Sequence, residues 1–245
     1  MFKLEQTTLT EGTKKGKKDM VPTGADYEAL REEAVAHGLF ERAYSHYALT
    51  AFVALCGMAL SLYIVTLTDN IAIQLLNAIL FGVASVQMGM IGHDLSHGAV
   101  FRTERLNRLV STLCLGLVAG LSESQWHDKH NAHHKHPNHA DLDPDLGMPF
   151  VFDERQLKDR SRFFKRWILP RQHVLFFLAL PLLYPALIGN GMRFIASNIS
   201  IRTAAEIVLA VVHFVALFWF VCAFLPLSVA ACFIVVSFAV SGAYL

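Results

Sequence analysis

Residues 47–67 read YALTAFVALCGMALSLYIVTL, and residues 71–92 read IAIQLLNAILFGVASVQMGMIG. A helix needs about 20 apolar residues to cross the hydrocarbon core of a bilayer, and each stretch meets that length. Only Thr68, Asp69 and Asn70 separate the two stretches. A connection this short predicts two antiparallel membrane-spanning helices that form one hairpin.

The rest of the chain supports a membrane protein. Of its 245 residues, 54% are hydrophobic and 17% are charged, and the mean hydropathy is +0.41, values that exclude an ordinary soluble domain. The net charge of +1 gives no basis for nucleic-acid binding. A second hairpin is predicted from Thr203 onward, with Pro226 near its turn. Residues 110–121 are too short to span, and residues 174–189 are split by prolines, so we expect the latter to be interfacial or re-entrant.

The basic residues predict which side of the membrane each part faces. The tip of the first hairpin contains no lysine or arginine, and none follows Arg202. Basic residues flank the first hairpin on both sides: Lys14, Lys15, Lys17, Lys18, Arg31, Arg42, Arg102, Arg105 and Arg108. The positive-inside bias therefore places both ends of that hairpin in the cytoplasm. We expect an all-α integral membrane protein, with two transmembrane hairpins and a cytoplasmic helical cap between Gly92 and Arg202.

The N-terminal region is predicted to be separate from the membrane part. Residues 1–22 are polar and rich in lysine, which is typical of a disordered tail. Residues 23–46 are expected to form an amphipathic helix on the membrane surface. TGAD at residues 23–26 resembles a capping box, and Gly38 is a candidate C-terminal stop.

Two clusters of histidines carry the chemistry. The first is HDLSH at residues 93–97, and the second is HNAHH at residues 130–134, within a stretch where residues 127–139 hold six of the chain's 12 histidines. In a helix, positions i, i+3 and i+4 share one face, so each cluster brings its imidazoles together. The candidate metal ligands are His93, His97, His130, His133 and His134.

The donor set predicts the kind of metal. Neither cluster contains cysteine or the HExxH pattern of zinc proteases, whereas imidazoles with open coordination positions suit iron in oxygen chemistry. Asp94, Asp143 and His139 are candidates to orient the ligating imidazoles through hydrogen bonds without binding the metal themselves. Asp94 can equally face solvent, Asp143 can serve the turn before Pro144, and His139 can instead take part in metal binding. Trp126 is interpreted as an anchor at the membrane interface.

At these residues the sequence resembles the membrane fatty acid desaturase family, in particular bacterial front-end, linoleoyl-CoA desaturase-like enzymes. The resemblance rests on GHDLSHGAVFRTERLNRLV, WHDKHNAHHKHPNHADLDPDL and DYEALREEAVAHGLFERAYSHY, and it covers residues 26–245. It implies a four-span helical protein in which three histidine boxes hold two irons. His93 and His97 match the first box, and His130, His133 and His134 match the second. Residues 47–245 would be the desaturase domain.

The resemblance implies an oxidoreductase that inserts a double bond into a fatty acyl-CoA or acyl-lipid, using dioxygen and external electrons. Residues 1–46 contain nothing like a haem or flavin domain, so a separate ferredoxin or b-type cytochrome with its reductase would donate the electrons. A related alkane, sterol or carotenoid hydroxylase is the nearest alternative. A metal transporter is disfavoured, because Glu206 is the only charged residue after Thr203.

The third box of the resembling family, (H/Q)xxHH, follows its fourth span. The present sequence contains no histidine after His213. We therefore expect this chain to be an N-terminal portion, or a truncated copy, of a longer desaturase. By itself it would bind iron poorly and be inactive.

Overall fold

The computed structural model describes residues 24–147 and 149–245, which are helical or irregular and include no strand. The predicted tail, residues 1–22, and Thr23 of the predicted capping box lie outside the described residues. In chain order the helices are α1 (Gly24–Ala36), α2 (Tyr44–Leu67), α3 (Ile71–Ser96), α4 (Glu104–Thr112), α5 (Glu123–Lys135), α6 (Gln172–Ala179), α7 (Leu183–Ser197), α8 (Ile201–Phe224) and α9 (Leu227–Tyr244). The expected all-α class is confirmed.

The helix α1 belongs to a compact unit that ends at Glu41. It stops at Ala36, and Gly38 follows with a φ of +68°, a left-handed conformation that suits glycine at a helix end. The predicted helix over residues 23–46 is therefore wrong in its length, because residues 44–46 already belong to α2. No residue of α1 is buried.

The second unit begins at Arg42 and contains the predicted bundle of α2, α3, α8 and α9. The helix α3 is the central element, since it packs along both α2 and α9. Val65, Leu225 and Ala230, which lie beside the two hairpin turns, share one buried cluster with Phe81 and Phe233. The two turns therefore lie at the same end of the bundle, as the hairpin prediction requires.

Glycine permits a close contact between α3 and α9. A Cβ atom on Gly82 would lie 2.8 Å from the carbonyl oxygen of Ser237 and 3.0 Å from the side chain of Val240. Small residues let membrane helices approach until backbone meets side chain, which strengthens van der Waals packing where no hydrophobic force acts between helices.

Polar side chains inside the first hairpin are paired with each other or with the backbone. The Nε2 atom of Gln74 donates to the carbonyl oxygen of Thr68 at 2.7 Å, and the Nδ2 atom of Asn77 donates to that of Ser61 at 3.0 Å. At the turn, the side chain of Asn70 caps α3 by accepting from Ala72 N–H at 3.0 Å. Such pairing is required because a membrane interior supplies no water as a partner.

The chain between α3 and α5 folds back against the bundle without spanning it, as expected for residues 110–121. The helix α4 continues into a π-helical turn, Leu113–Val118. The hydroxyl of Ser111 donates to the carbonyl oxygen of Gly92 at 2.8 Å, and a Cβ on Gly92 would lie 2.8 Å from Leu115. These contacts hold the returning segment against α3, just before the first histidine box.

The segment before α8 is longer than the sequence indicated. The predicted stretch, residues 174–189, lies within a helical run from Phe164 to Ser197 that is long and apolar enough to be a fifth candidate span. The expectation that prolines break this stretch is wrong, because the helical run continues past them through short 3₁₀ turns at residues 169–171 and 180–182. Tyr184 at the start of α7 packs on Phe238 of α9, with ring centroids 5.0 Å apart. The interfacial or re-entrant position of residues 174–189 stays a prediction.

Candidate metal centre

The two histidine boxes lie on helices, as their spacing predicted, and each is near the C-terminal end of its helix. The helix α3 runs to Ser96, so His93 occupies its last turn and His97 caps its C-terminus. The second box lies on α5, whose N-terminus is capped by the hydroxyl of Ser122, which accepts from Gln125 N–H at 3.2 Å. Each box therefore presents its imidazoles on one side of a helix.

Four of the five predicted ligands converge through the same ring atom. The Nε2 atom of His130 lies 3.0 Å from that of His93, 2.9 Å from that of His97 and 3.0 Å from that of His134. The Nε2 atoms of His93 and His97 are 3.3 Å apart. We call these four residues the Nε2 cluster. His93, His97 and His130 have ligand atoms close enough together to hold one metal ion.

Hydrogen bonds alone cannot satisfy this arrangement. A neutral imidazole carries one N–H and one lone pair, so the single Nε2 atom of His130 cannot bond to three other Nε2 atoms at once. A cation placed among the four nitrogens would accept all their lone pairs. The donor set therefore fits a metal that binds imidazole nitrogen.

The electrostatics of the cluster favour the neutral form of His97 and His130, the form that a metal requires. Burial, followed by the charges that His93, His97 and His134 would carry, lowers the pKa of His130 to about 4. The pKa of His97 is also lowered, first by burial and then by His93 and His134. Neutral rings at physiological pH leave their lone pairs available to a metal.

Carboxylates contact the Nδ1 side of two of the imidazoles, which is one of the two alternatives that the sequence left open for Asp94 and Asp143. The Nδ1 atoms of His93 and His133 lie 2.9 Å from Asp94 Oδ1 and 2.9 Å from Asp143 Oδ1, respectively. An Nδ1–H that donates to a carboxylate leaves the lone pair on Nε2, the atom that forms the cluster. The hydrogen bond to Asp143 raises the pKa of His133.

The fifth predicted ligand, His133, is not in the Nε2 cluster. Its Nδ1 atom also lies 3.2 Å from Asp145 Oδ2, and these two residues with Asp143 form a second group whose ligand atoms are close together. Asp143, however, already accepts from the backbone N–H of Asn138 at 2.7 Å. Asp145 is paired with the ammonium of Lys129 at 2.8 Å. Hydrogen bonds and an ion pair therefore account for these carboxylates, and the available nitrogen of His133 is Nε2.

His127, His136 and His139 make no hydrogen bond to the Nε2 cluster within the described residues. The Nδ1 atom of the exposed His139 accepts from Asp141 N–H at 3.3 Å, a contact that supports the loop. His127 lies beside Asn131, whose Nδ2 atom is 3.1 Å from His127 Nε2. His136 packs loosely on His139, with ring centroids 6.3 Å apart.

Trp126 belongs to the site, and its interpretation as an interface anchor was incomplete. Its ring stacks on His130, with centroids 4.9 Å apart and planes 21° apart, and it meets the edge of His93 at 5.9 Å. The ring also packs on the buried cluster around Leu115 and Tyr184. The spacing of four residues between Trp126 and His130 is the signal that could have revealed this contact.

A buried ionic network attaches α5 to α8, and sequence reasoning missed it. The carboxylate of Glu206 accepts from the hydroxyl of Ser122 at 2.7 Å, from Ser124 N–H at 3.2 Å and from the hydroxyl of Ser124. Arg202 pairs with Glu123 and lies 3.7 Å from Glu206. The side chains of both glutamates are only 1% exposed. We call these five residues the α5 clamp, since they fix the N-terminus of the helix that bears the second box.

Comparison with known proteins identifies the family. Residues 70–245 match the family model for fatty acid desaturases. Similar curated proteins include an acyl-lipid (9-3)-desaturase of Borago officinalis (33% identical over 51% of this chain and 28% of the relative) and fatty acid desaturase 3 of Bos taurus (31% over 64% and 36%). A Δ(8)-fatty-acid desaturase of Euglena gracilis is 29% identical over 60% of this chain and 35% of the relative.

The matched region thus spans about a third of the length of these curated relatives. No solved structure matches the chain significantly. The family model nonetheless covers most of the chain, including α3 and α5 with both histidine boxes. On this evidence the chain belongs to the fatty acid desaturase family.

Proposed function

We propose that the gene product carrying this chain is a membrane enzyme that introduces a double bond into a fatty acyl chain. The observation that carries the proposal is the Nε2 cluster. Its four imidazoles come from the end of α3 and from α5, and four pairs of their Nε2 atoms lie 3.3 Å apart or less. It lies in a chain whose family consists of fatty acid desaturases. A hydrocarbon segment offers no polar handle, so the chemistry must come from a bound cofactor.

The proposed cofactor is non-haem iron, two ions in the complete centre, with dioxygen as co-substrate. His93, His97, His130 and His134 would hold iron through Nε2, and His133 would offer its Nε2 atom as the fifth nitrogen. Bound iron would supply the activation of dioxygen that removal of hydrogen from an alkyl segment requires. The chain's own contribution is to favour the neutral form of His97 and His130, to orient His93 and His133 through carboxylates, and to cover one side of His130 with Trp126.

The proposed substrate is a fatty acyl-CoA or an acyl-lipid, and the relatives' names support an acyl-lipid or fatty acid. An apolar groove of about 480 Å³ lies between α2, α3 and α8, with Met58, Leu117 and His213 among its lining residues. Such walls suit an acyl chain, because recognition of a hydrocarbon depends on shape and apolar contact. A separate ferredoxin, or a b-type cytochrome with its reductase, is the proposed electron donor.

Product analysis tests the proposal and separates it from the hydroxylase alternative. The full coding sequence that contains this chain is expressed in a host without polyunsaturated lipids, and total fatty acids are analysed by mass spectrometry. We expect a new double bond at one position. A hydroxylated product would favour the hydroxylase, and unchanged fatty acids together with metal-free protein would contradict both. His134→Ala serves as the matched inactive variant.

We further propose that the centre faces the cytoplasm and that the turns at Asp69 and Pro226 face the opposite side. The proposal is supported by the positions of the basic residues, because neither turn contains a lysine or an arginine. A cysteine substituted for Asn70 should react with a membrane-impermeant thiol reagent from outside intact cells, whereas a cysteine substituted for Glu154 should react only in inside-out vesicles. Labelling of the two positions from the same side would refute the proposed orientation.

A further inference from the structure

Tyr47, near the start of α2, is not a candidate metal ligand, but it makes a hydrogen bond to a residue that contacts one. Its hydroxyl donates to Oδ2 of Asp94 at 3.0 Å. The other carboxylate oxygen of Asp94, Oδ1, lies 2.9 Å from Nδ1 of His93. A continuous chain of hydrogen bonds thus runs from the first span, through one carboxylate, to a member of the Nε2 cluster.

Asp94 needs such a partner to hold a fixed orientation. Its side chain is 39% exposed, so a carboxylate with only one bond could rotate toward water. Tyr47 is itself held in place, since its ring packs on the buried cluster that contains Ala54, Met88 and Leu95. A tyrosine packed in this way can fix one carboxylate oxygen while the other accepts from an imidazole.

The consequence reaches the ligand atom of His93. With Nδ1–H donated to Asp94, the lone pair resides on Nε2, which lies 3.0 Å from His130 Nε2. If Asp94 rotated away, the tautomer and ring angle of His93 would no longer be determined. Supporting groups of this kind are worth about 10–100-fold in metal affinity.

We propose that Tyr47 is a positioning residue for the metal centre, acting through Asp94 to hold His93 with Nε2 directed into the cluster. This inference rests on the proposed function. The antiparallel hairpin places the start of α2 beside the end of α3, so a residue on α2 can support a ligand on α3.

The test uses the full gene product with Co²⁺ as the probe, because Co²⁺ binds imidazole and its absorption spectrum reports ligand geometry. Tyr47→Phe removes only the hydroxyl. We expect its dissociation constant for Co²⁺, measured by competition with a chelator, to rise about 10-fold, with an altered Co²⁺ spectrum and an unchanged thermal midpoint for the metal-free protein. Asp94→Ala should weaken binding at least as much, and His93→Ala more.

Tyr44→Phe is the matched control, since Tyr44 lies one turn earlier on α2 and its hydroxyl makes no hydrogen bond within the described residues. It should leave the affinity and the spectrum unchanged. If Tyr47→Phe also leaves them unchanged while His93→Ala weakens binding, the inference on Tyr47 is overturned and the metal centre stands. If His93→Ala has no effect either, the proposed metal centre fails. An equal loss in Tyr44→Phe would mean a general effect of α2 and would likewise overturn the inference.

Discussion

Replacing His130 with alanine should abolish metal binding and product formation in the full gene product. The Nε2 atom of His130 lies within 3.0 Å of three other Nε2 atoms, so its loss removes the centre of the cluster. Loss of a group that only supports a ligand costs about 10–100-fold in affinity, and loss of this ligand should cost more than about 100-fold. Metal content after purification and Co²⁺ titration measure the first effect, and fatty acid analysis measures the second.

The chain offers controls within the same histidine-rich stretch. His127→Ala removes an imidazole one turn earlier on α5, where the ring contacts Asn131, and His136→Ala removes an exposed one. Both variants should keep their metal and their product. The assignment of ligands would be refuted if alanine variants of His93, His97, His130, His133 and His134 all retained normal metal content and activity.

The second large effect is expected for Glu206→Ala, which removes the acceptor at the centre of the α5 clamp. Three donors, the hydroxyls of Ser122 and Ser124 and the N–H of Ser124, would lose their partner in a buried site. Breaking a buried charged network in this way destabilises a protein by about 3–5 kcal/mol. The thermal unfolding midpoint in detergent should fall strongly. Metal binding should weaken as well, because within the clamp only the pair of Arg202 with Glu123 would still join α8 to α5.

A graded series keeps this prediction testable if Glu206→Ala does not fold. Ser124→Ala removes one of the hydroxyl donors and should cost about 1.5–3 kcal/mol, the range for a single hydrogen bond to a charged group. Glu154→Ala removes an exposed carboxylate outside the clamp and should leave the midpoint unchanged. A midpoint for Glu206→Ala equal to that of Glu154→Ala would show that the clamp does not stabilise the fold.

Local sequence patterns were sufficient for several parts of the site. The spacing of four residues between His93 and His97 predicted a shared helix face, and the structure has both at the end of α3. The HNAHH pattern likewise predicted the helix α5. The orientation of His93 by Asp94 was one of two readings that the sequence left open, because a carboxylate at a helix end can face either solvent or an imidazole.

Other parts of the site depend on contacts between residues distant in the chain. Glu206 stands out in the sequence as the single charged residue in an apolar region. Its partners Ser122 and Ser124, however, lie more than 80 positions away in the chain. Periodicity reports which residues share a face, and it carries no information on which other element that face meets. The sequence pattern also did not reveal that the helical run before α8 continues past its prolines, from Phe164 to Ser197.

The sequence by itself determined that this chain is an all-helical membrane protein with two histidine boxes, because span length and helical spacing are local properties. Only the tertiary structure decided that His93, His97, His130 and His134 meet through Nε2 whereas His133 turns to Asp143. That choice depends on where the end of α3 and the helix α5 are held in the bundle. Gly92 meets Leu115 in the returning segment, Glu206 of α8 accepts from Ser122 at the start of α5, and Tyr47 of α2 donates to Asp94 on α3. Each contact joins residues that are distant in the chain.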